Sequence, residues 1–252
     1  MNAIFFLCAN VNEIKIRIFE RLKEQVSKVE NVDLYIAIDE ENKGEIDRVN
    51  HDKIVFFNYH KYKQYNLYRI RKDRRAKITY IGNTIYPFID FCINHLQYDR
   101  YMFYEDDMIY TGDISKLFNQ CEGYDIVLQQ EIKPAEAHWP WIMQEYNKLA
   151  TGYFYSNTYN AMTNLYIVSK DCALFLHNRL LQKEWFAHHE LIMATEIVSN
   201  DKKWKCFSGN NAVFIYDYEL GNYLSTEQVQ KDTFYHPVKW PEQYENIMNC
   251  IE

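Results

Sequence analysis

Glu105, Asp106 and Asp107 are three consecutive carboxylates. They follow the strand-forming run Arg100-Tyr101-Met102-Phe103-Tyr104 and precede a turn at Gly112. Adjacent acids at the exit of a strand repel one another unless a cation lies among them. Hard oxygen ligands of this kind suit Mg²⁺ or Mn²⁺, and either ion can hold a diphosphate. A solvated acidic loop is the plain alternative. An EF-hand does not fit, because the third position counted from Asp107 is Ile109 and the acidic alternation of such a loop is missing. Seven glycines in the whole chain, none in a Walker or dinucleotide pattern, leave no glycine-rich phosphate loop.

Two further stretches carry reactive groups. Phe186 to Val198 is expected to be a helix with His188, His189 and Glu190 at its start. The paired histidines lack the HExxH spacing of a zinc protease, and nothing nearby offers a third ligand. Glu190, near a helix N-terminus, is a candidate general base, and Glu196 is expected to face solvent. In Tyr235-His236-Pro237-Val238-Lys239, His236 can complete a metal shell and Lys239 can neutralise phosphate. Between Tyr59 and Lys77, eight cations interleave with tyrosines. Such a patch can stack a base and hold phosphates, meet an anionic membrane, or be a plain solvated face. The aromatics His138-Trp139-Pro140-Trp141, Tyr153, Tyr155 and Tyr159 suit either an acceptor platform or local packing.

These groups need a frame. Ala3 to Cys8 is a continuous apolar run, as a strand buried on both faces requires. Ile14, Ile18, Leu22 and Val26 recur every fourth residue and predict a helix covering a sheet. Asp33 to Ile38 and Ile54 to Phe57 read as the next strands. This order predicts a doubly wound α/β half, whose strand ends open into a ligand crevice. Ile78 to His95 reads as a helix with Pro87 at its start or at a kink. Tyr124 to Gln129, Asn164 to Ser169, Lys205 to Phe207 and Val213 to Tyr216 read as strands, with helices over Ile114 to Cys121 and Asp171 to Leu181.

At 252 residues the chain suffices for one large domain with a substantial core. A net charge of −7 argues against nucleic acid as a partner. The apolar N-terminus lacks a basic lead and a cleavage site, and no segment reaches the length of a membrane span. Six scattered cysteines, never in CxxC, suit reduced, packed thiols in a cytoplasmic protein. The 22 tyrosines suit stacking on sugars or bases, or reflect compositional bias.

The element order, together with Tyr98-Asp99-Arg100-Tyr101-Met102-Phe103-Tyr104-Glu105-Asp106-Asp107 and the late His-Pro-Val-Lys, resembles bacterial GT-A fold glycosyltransferases. The resemblance spans most of the chain in element order, and only those two motifs match at residue level. Glu105 and Asp107 stand at the outer positions of the family's DxD motif, with one Glu substitution. The resemblance implies a single GT-A-like (Rossmann-like) α/β domain over 1–252, with a mostly parallel central sheet flanked by helices. Its nucleotide-sugar half would cover about 1–130, and its acceptor-binding half and closing segment about 131–252. It implies Mn²⁺ or Mg²⁺ held by Asp107, Glu105 and His236, with Asp106 or Glu105 toward the ribose or a metal-bound water. Asn10, Asn12 and Asp39 would meet the nucleotide, and Lys239 its phosphates. Glu190 would act as the base of an inverting transfer; if it points away, retention is the expectation. A UDP-sugar donor, a glycan or lipid-linked acceptor and a role in surface polysaccharide or lipooligosaccharide synthesis follow by the same resemblance. Peripheral membrane contact would fall to residues 59–77. The rivals are a sugar-phosphate nucleotidyltransferase, which normally carries a Gly-rich basic loop that Ala9-Asn10-Val11-Asn12 lacks, and a non-catalytic carbohydrate-binding module.

Overall fold

The computed structural model describes residues 1–8, 10–58, 84–135, 158–182, 189–207, 213–216 and 229–251. The basic and aromatic stretch 59–77 and the aromatics at 138–141, 153 and 155 lie outside them, as does His188.

The strands are β1 (Asn2–Cys8), β2 (Val32–Asp39), β3 (Ile54–Phe57), β4 (Arg100–Glu105), β5 (Ile109–Tyr110), β6 (Ile126–Leu128), β7 (Lys133–Pro134), β8 (Tyr159–Asn160), β9 (Leu165–Ser169), β10 (Trp204–Cys206), β11 (Val213–Tyr216) and β12 (Thr233–His236). The helices are α1 (Glu13–Val26), α2 (Ile85–Asn94), α3 (Ile114–Asn119), α4 (Lys170–Gln182), α5 (His189–Ser199) and α6 (Pro241–Ile251), with a 3₁₀ segment over Glu40–Arg48. Seven strands form one sheet in the order β10-β6-β9-β4-β1-β2-β3. All run parallel except β9, which is antiparallel to both β4 and β6. The expected mostly parallel sheet flanked by helices is thus the one observed.

The apolar runs are continuous because alternate residues feed two cores. Along β1, Ala3, Phe5 and Leu7 join the core under α2, α4 and α5, whereas Ile4, Phe6 and Cys8 join the one under α1 and α6. The strand β4 splits the same way, Tyr101 and Phe103 against Met102 and Tyr104. Much of the tyrosine excess goes into these cores. Tyr86, Tyr98, Tyr101, Tyr104, Tyr110 and Tyr166 are among the largest fully buried side chains. A buried phenol usually pairs its hydroxyl. Tyr101 donates to the carbonyl of His95 at 2.9 Å, and Tyr104 accepts from the amide of Tyr110 at 2.9 Å.

Several expectations shift. The helix expected over 78–95 is observed as Ile85–Asn94, residues 78–83 being outside the described set, and Pro87 sits in its first turn, where its missing N–H is no loss. Glu196 does not face solvent. It is 1% exposed and accepts from Arg179 Nε at 2.6 Å and Asn200 Nδ2 at 3.0 Å. Both faces of α5 are covered, so its periodicity gave no polar side to read. The strand β12 and the helix α6 were not anticipated. Pro241 opens α6 as its first residue, and Gln243 Oε1 reaches back to the amides of Lys239 and Trp240 at 2.9 and 3.2 Å, one half of a capping box. All six cysteines are free; Cys8, Cys92, Cys121 and Cys172 are buried, and Cys206 and Cys250 are half-buried.

Phe88 packs against Phe5, Phe103 and Tyr166 at the centre of the larger aromatic cluster. Phe88→Ala is expected to lower the unfolding free energy by about 3–5 kcal/mol in urea titration. Leu181→Ala, at an exposed position, is expected to change it by no more than about 0.5 kcal/mol.

Candidate functional site

The acids leave the sheet at the carboxyl end of β4. Glu105 is the last residue of that strand; Asp106 and Asp107 form the turn into β5. β5 pairs antiparallel with β12, Tyr110 opposite Phe234 and Ile109 opposite Tyr235. The next step of that register brings His236 to the acidic turn. A one-residue slip would put the imidazole on the opposite face. The register is held by the Tyr110 and Phe234 rings, stacked at 4.3 Å, and by the amide of Thr233 donating to Thr111 Oγ1 at 2.9 Å. Gly112 closes the segment where no side chain fits: a Cβ there would strike the Tyr110 hydroxyl and Asp232. Beyond β12, the amide of Val238 donates to the carbonyl of Asp107 at 2.7 Å, tying the tail to the turn.

His236 Nε2 lies 3.0 Å from Asp107 Oδ1 and 3.3 Å from Glu105 Oε2. Lys239 Nζ is 3.9 Å from Asp107 Oδ2, and Lys15 Nζ is 2.7 Å from Asp106 Oδ2. Lys15, at the first turn of α1, also donates to Asn10 Oδ1. Asn164 Nδ2 donates to Glu105 Oε2, and Asn164 Oδ1 accepts from Gln129 Nε2 at 3.1 Å. Gln129 Oε1 is itself fixed by the amide of Leu165 at 2.7 Å.

Each acid therefore has a cationic partner within the chain. Lys15, His236 and Lys239 thus already bring positive charge to the triplet from within the chain. Burial opposes the charged imidazole of His236, but hydrogen bonds and charge from Asp107 and Glu105 prevail and raise it to about 9. The balance is reasonable, since unit charges about 3 Å apart attract by roughly 5 kcal/mol at an effective dielectric of about 20. Asp107 is also penalised by burial, yet His236 and Lys239 hold it below the usual carboxylate range. Asp106 is pushed up to about 7, chiefly by burial, with Lys15 opposing the rise.

One oxygen each from Glu105 and Asp107 and one nitrogen from His236 lie within 4.8 Å of one another. An octahedral ion with bonds of about 2.1 Å separates neighbouring ligand atoms by about 3 Å, close to the 3.0 and 3.3 Å seen here. Two carboxylates and an imidazole are also a reasonable donor set for Mn²⁺ or Mg²⁺. The residues present fit such an ion.

Asn10, Asn12 and Asp39 lie where β1 and β2 end, at the same sheet edge. Asn12 caps α1, its Oδ1 accepting from the amide of Lys15 at 3.0 Å. Asn10 is engaged by Lys15, and Asp39 Oδ1 accepts from the amide of Glu41 at 3.1 Å at the end of β2. Glu190, buried at the start of α5, accepts through its carbonyl from the amide of Ala161 at 3.3 Å, three residues before Asn164. Lys15, Gln129 and Asn164 were missed in the sequence. Asn164 stands at the amino end of β9, and only the reversal of that strand brings it to the carboxyl edge of β4.

No family model matches the chain, and no curated protein matches it in sequence. In three dimensions it is similar to an active-site mutant of LgtC at a TM-score of 0.55 and 10% identity, covering 99% of this chain and 95% of that one. The galactosyltransferase LgtC with donor and acceptor sugar analogs matches at 0.51 and 9%, covering 100% and 95%. Mouse xyloside xylosyltransferase 1 in its apo form matches at 0.51 and 11%, covering 95% and 99%. At such identities the likeness establishes the fold, and that fold is the GT-A type.

His236 also yields a pH dependence. Its folded value lies above its ordinary 6.5, so its contribution to the metal-free protein is complete below pH 6.5 and is lost as the pH rises through about 9. The loss amounts to at most about 3 kcal/mol. Urea titrations between pH 6 and 10 are expected to show that decline, and His236→Gln to flatten it.

Proposed function

We propose that the chain is a glycosyltransferase that moves a sugar from a nucleotide-sugar donor to a hydroxyl of a glycan or glycolipid acceptor. One observation carries the reading. Glu105, Asp107 and His236 converge at the carboxyl edge of β4, on a sheet similar to those of LgtC and xyloside xylosyltransferase 1. The LgtC structure with donor and acceptor sugar analogs supports this choice of ligands for the crevice. We assign Glu105, Asp107 and His236 to a divalent cation, Mn²⁺ or Mg²⁺, which when bound offsets the charge on a departing diphosphate.

The chain's own groups would do the rest. Lys239, with more than half of its side chain exposed, can turn toward the phosphates and share their charge. Asn10, Asn12 and Asp39, at the ends of β1 and β2, are assigned to the nucleotide. Glu190 is assigned the proton of the acceptor hydroxyl. That oxygen would form its bond to the anomeric carbon as the bond to the diphosphate oxygen breaks on the opposite face, giving inversion. Residues 1–130 would make the donor half and 131–252 the acceptor half of one domain. A UDP-sugar donor and a lipid-linked acceptor of a surface polysaccharide or lipooligosaccharide complete the reading, set at the cytoplasmic face of a membrane. No helix among the described residues is long and apolar enough to cross one.

Thermal shift with UDP- and GDP-sugars, with and without Mn²⁺, tests the donor site. A sugar nucleotide is expected to raise the melting temperature only with the metal, and Asp107→Ala to abolish the rise. Glu190→Gln is expected to keep donor binding and cut transfer by about 10²–10⁴-fold, the usual worth of a general base. Binding without turnover on any acceptor would instead favour the non-catalytic carbohydrate-binding module.

A further inference from the structure

Asp106 is the acid that the metal reading does not use. Among the described residues, the group whose ligand atoms converge is Glu105, Asp107 and His236, without Asp106. Its carboxylate is held instead by Lys15 at 2.7 Å, and both side chains are only 16% exposed. Lys15 is fixed at both ends. Its amide donates to Asn12 Oδ1, the cap of α1, and its ammonium also donates to Asn10 Oδ1. The ion pair thus ties the loop after β1 to the acidic turn after β4. Lys239, by contrast, lies 3.9 Å from Asp107 and has a largely exposed side chain.

We propose that Lys15 is a metal-selectivity-determining residue: by holding Asp106 aside, it keeps the ligand set at two carboxylates and one imidazole. The inference rests on the metal assignment made above. The chemistry follows from ligand number and hardness. Ca²⁺ favours six to eight oxygen ligands, and carboxylates suit it, whereas imidazole shifts preference toward the transition metals. With Asp106 withheld, the site favours Mn²⁺ over Ca²⁺. With Asp106 released, a third carboxylate becomes available and Ca²⁺ gains more than Mn²⁺. Lys15 is a positioning residue here, acting through Asp106 and not on a substrate.

Mn²⁺ binding, followed by its paramagnetic resonance signal and competed with Ca²⁺, tests this directly. Lys15→Met is expected to reduce the Mn²⁺:Ca²⁺ affinity ratio by about tenfold or more, and the double variant Lys15→Met/Asp106→Asn to restore it to within about threefold of the parent. Asp106→Asn alone preserves shape and does not depend on Lys15→Met folding well. It is expected to leave Mn²⁺ affinity within about threefold. An unchanged ratio in Lys15→Met, or a loss of Mn²⁺ affinity beyond tenfold in Asp106→Asn, would overturn the proposal. A purely structural ion pair would lower the melting temperature of Lys15→Met and leave the ratio alone. Failure of the unmodified chain to bind Mn²⁺ at all would overturn the metal assignment and this inference together. Binding with the expected preference but no sugar transfer would overturn only the glycosyl-transfer reading.

Discussion

Three carboxylates in a row at the end of one buried strand are a mutual repulsion that the fold must relieve. It does so with cations from different places in the chain: Lys15 from the first turn of α1, His236 from the end of β12, and Lys239 from the segment after it. None of these partners is near the acids in sequence. The arrangement therefore depends on α1 starting at Asn12 and on β12 pairing with β5 in one register. Burial works against every charge in the cluster, and the short contacts between opposite charges outweigh it for His236 and Asp107.

The architecture around the cluster follows from the same demand. A parallel sheet opens its strands' carboxyl ends to a crevice, and β1, β2 and β4 all end there. One reversed strand, β9, presents its amino end to the same edge, so Asn164 can hold Glu105 while Gln129 holds Asn164. The small sheet of β11, β12 and β5 then carries the tail back to the turn. A divalent ion bound to Glu105, Asp107 and His236 would have to displace the proton that His236 carries in the metal-free state, so ion binding and protonation compete for the same ring.

Much of the frame was legible in the chain. Continuous apolar runs marked β1 and β4 because each strand feeds two cores, and the fourfold spacing of Ile14, Ile18, Leu22 and Val26 marked α1 because only one face of that helix is covered. The acids and the late histidine and lysine stood out by type. Glu196 was misjudged because α5 is buried on all sides and its hydrophobic pattern carries no phase. The tyrosines suited stacking on a ligand or a compositional bias equally well, and many of them are core residues, with the hydroxyls of Tyr101 and Tyr104 paired to the backbone.

Side-chain chemistry and local periodicity, which are properties of neighbours along the chain, were enough to determine the class of fold and to single out Glu105, Asp107, His236 and Lys239. The pairing of Lys15 with Asp106, the support of Glu105 by Asn164 and Gln129, and the meeting of His236 with the acidic turn were decided only in three dimensions. Each joins residues separated by tens to more than a hundred positions, and such contacts arise from strand order, strand direction and register, which local spacing does not encode.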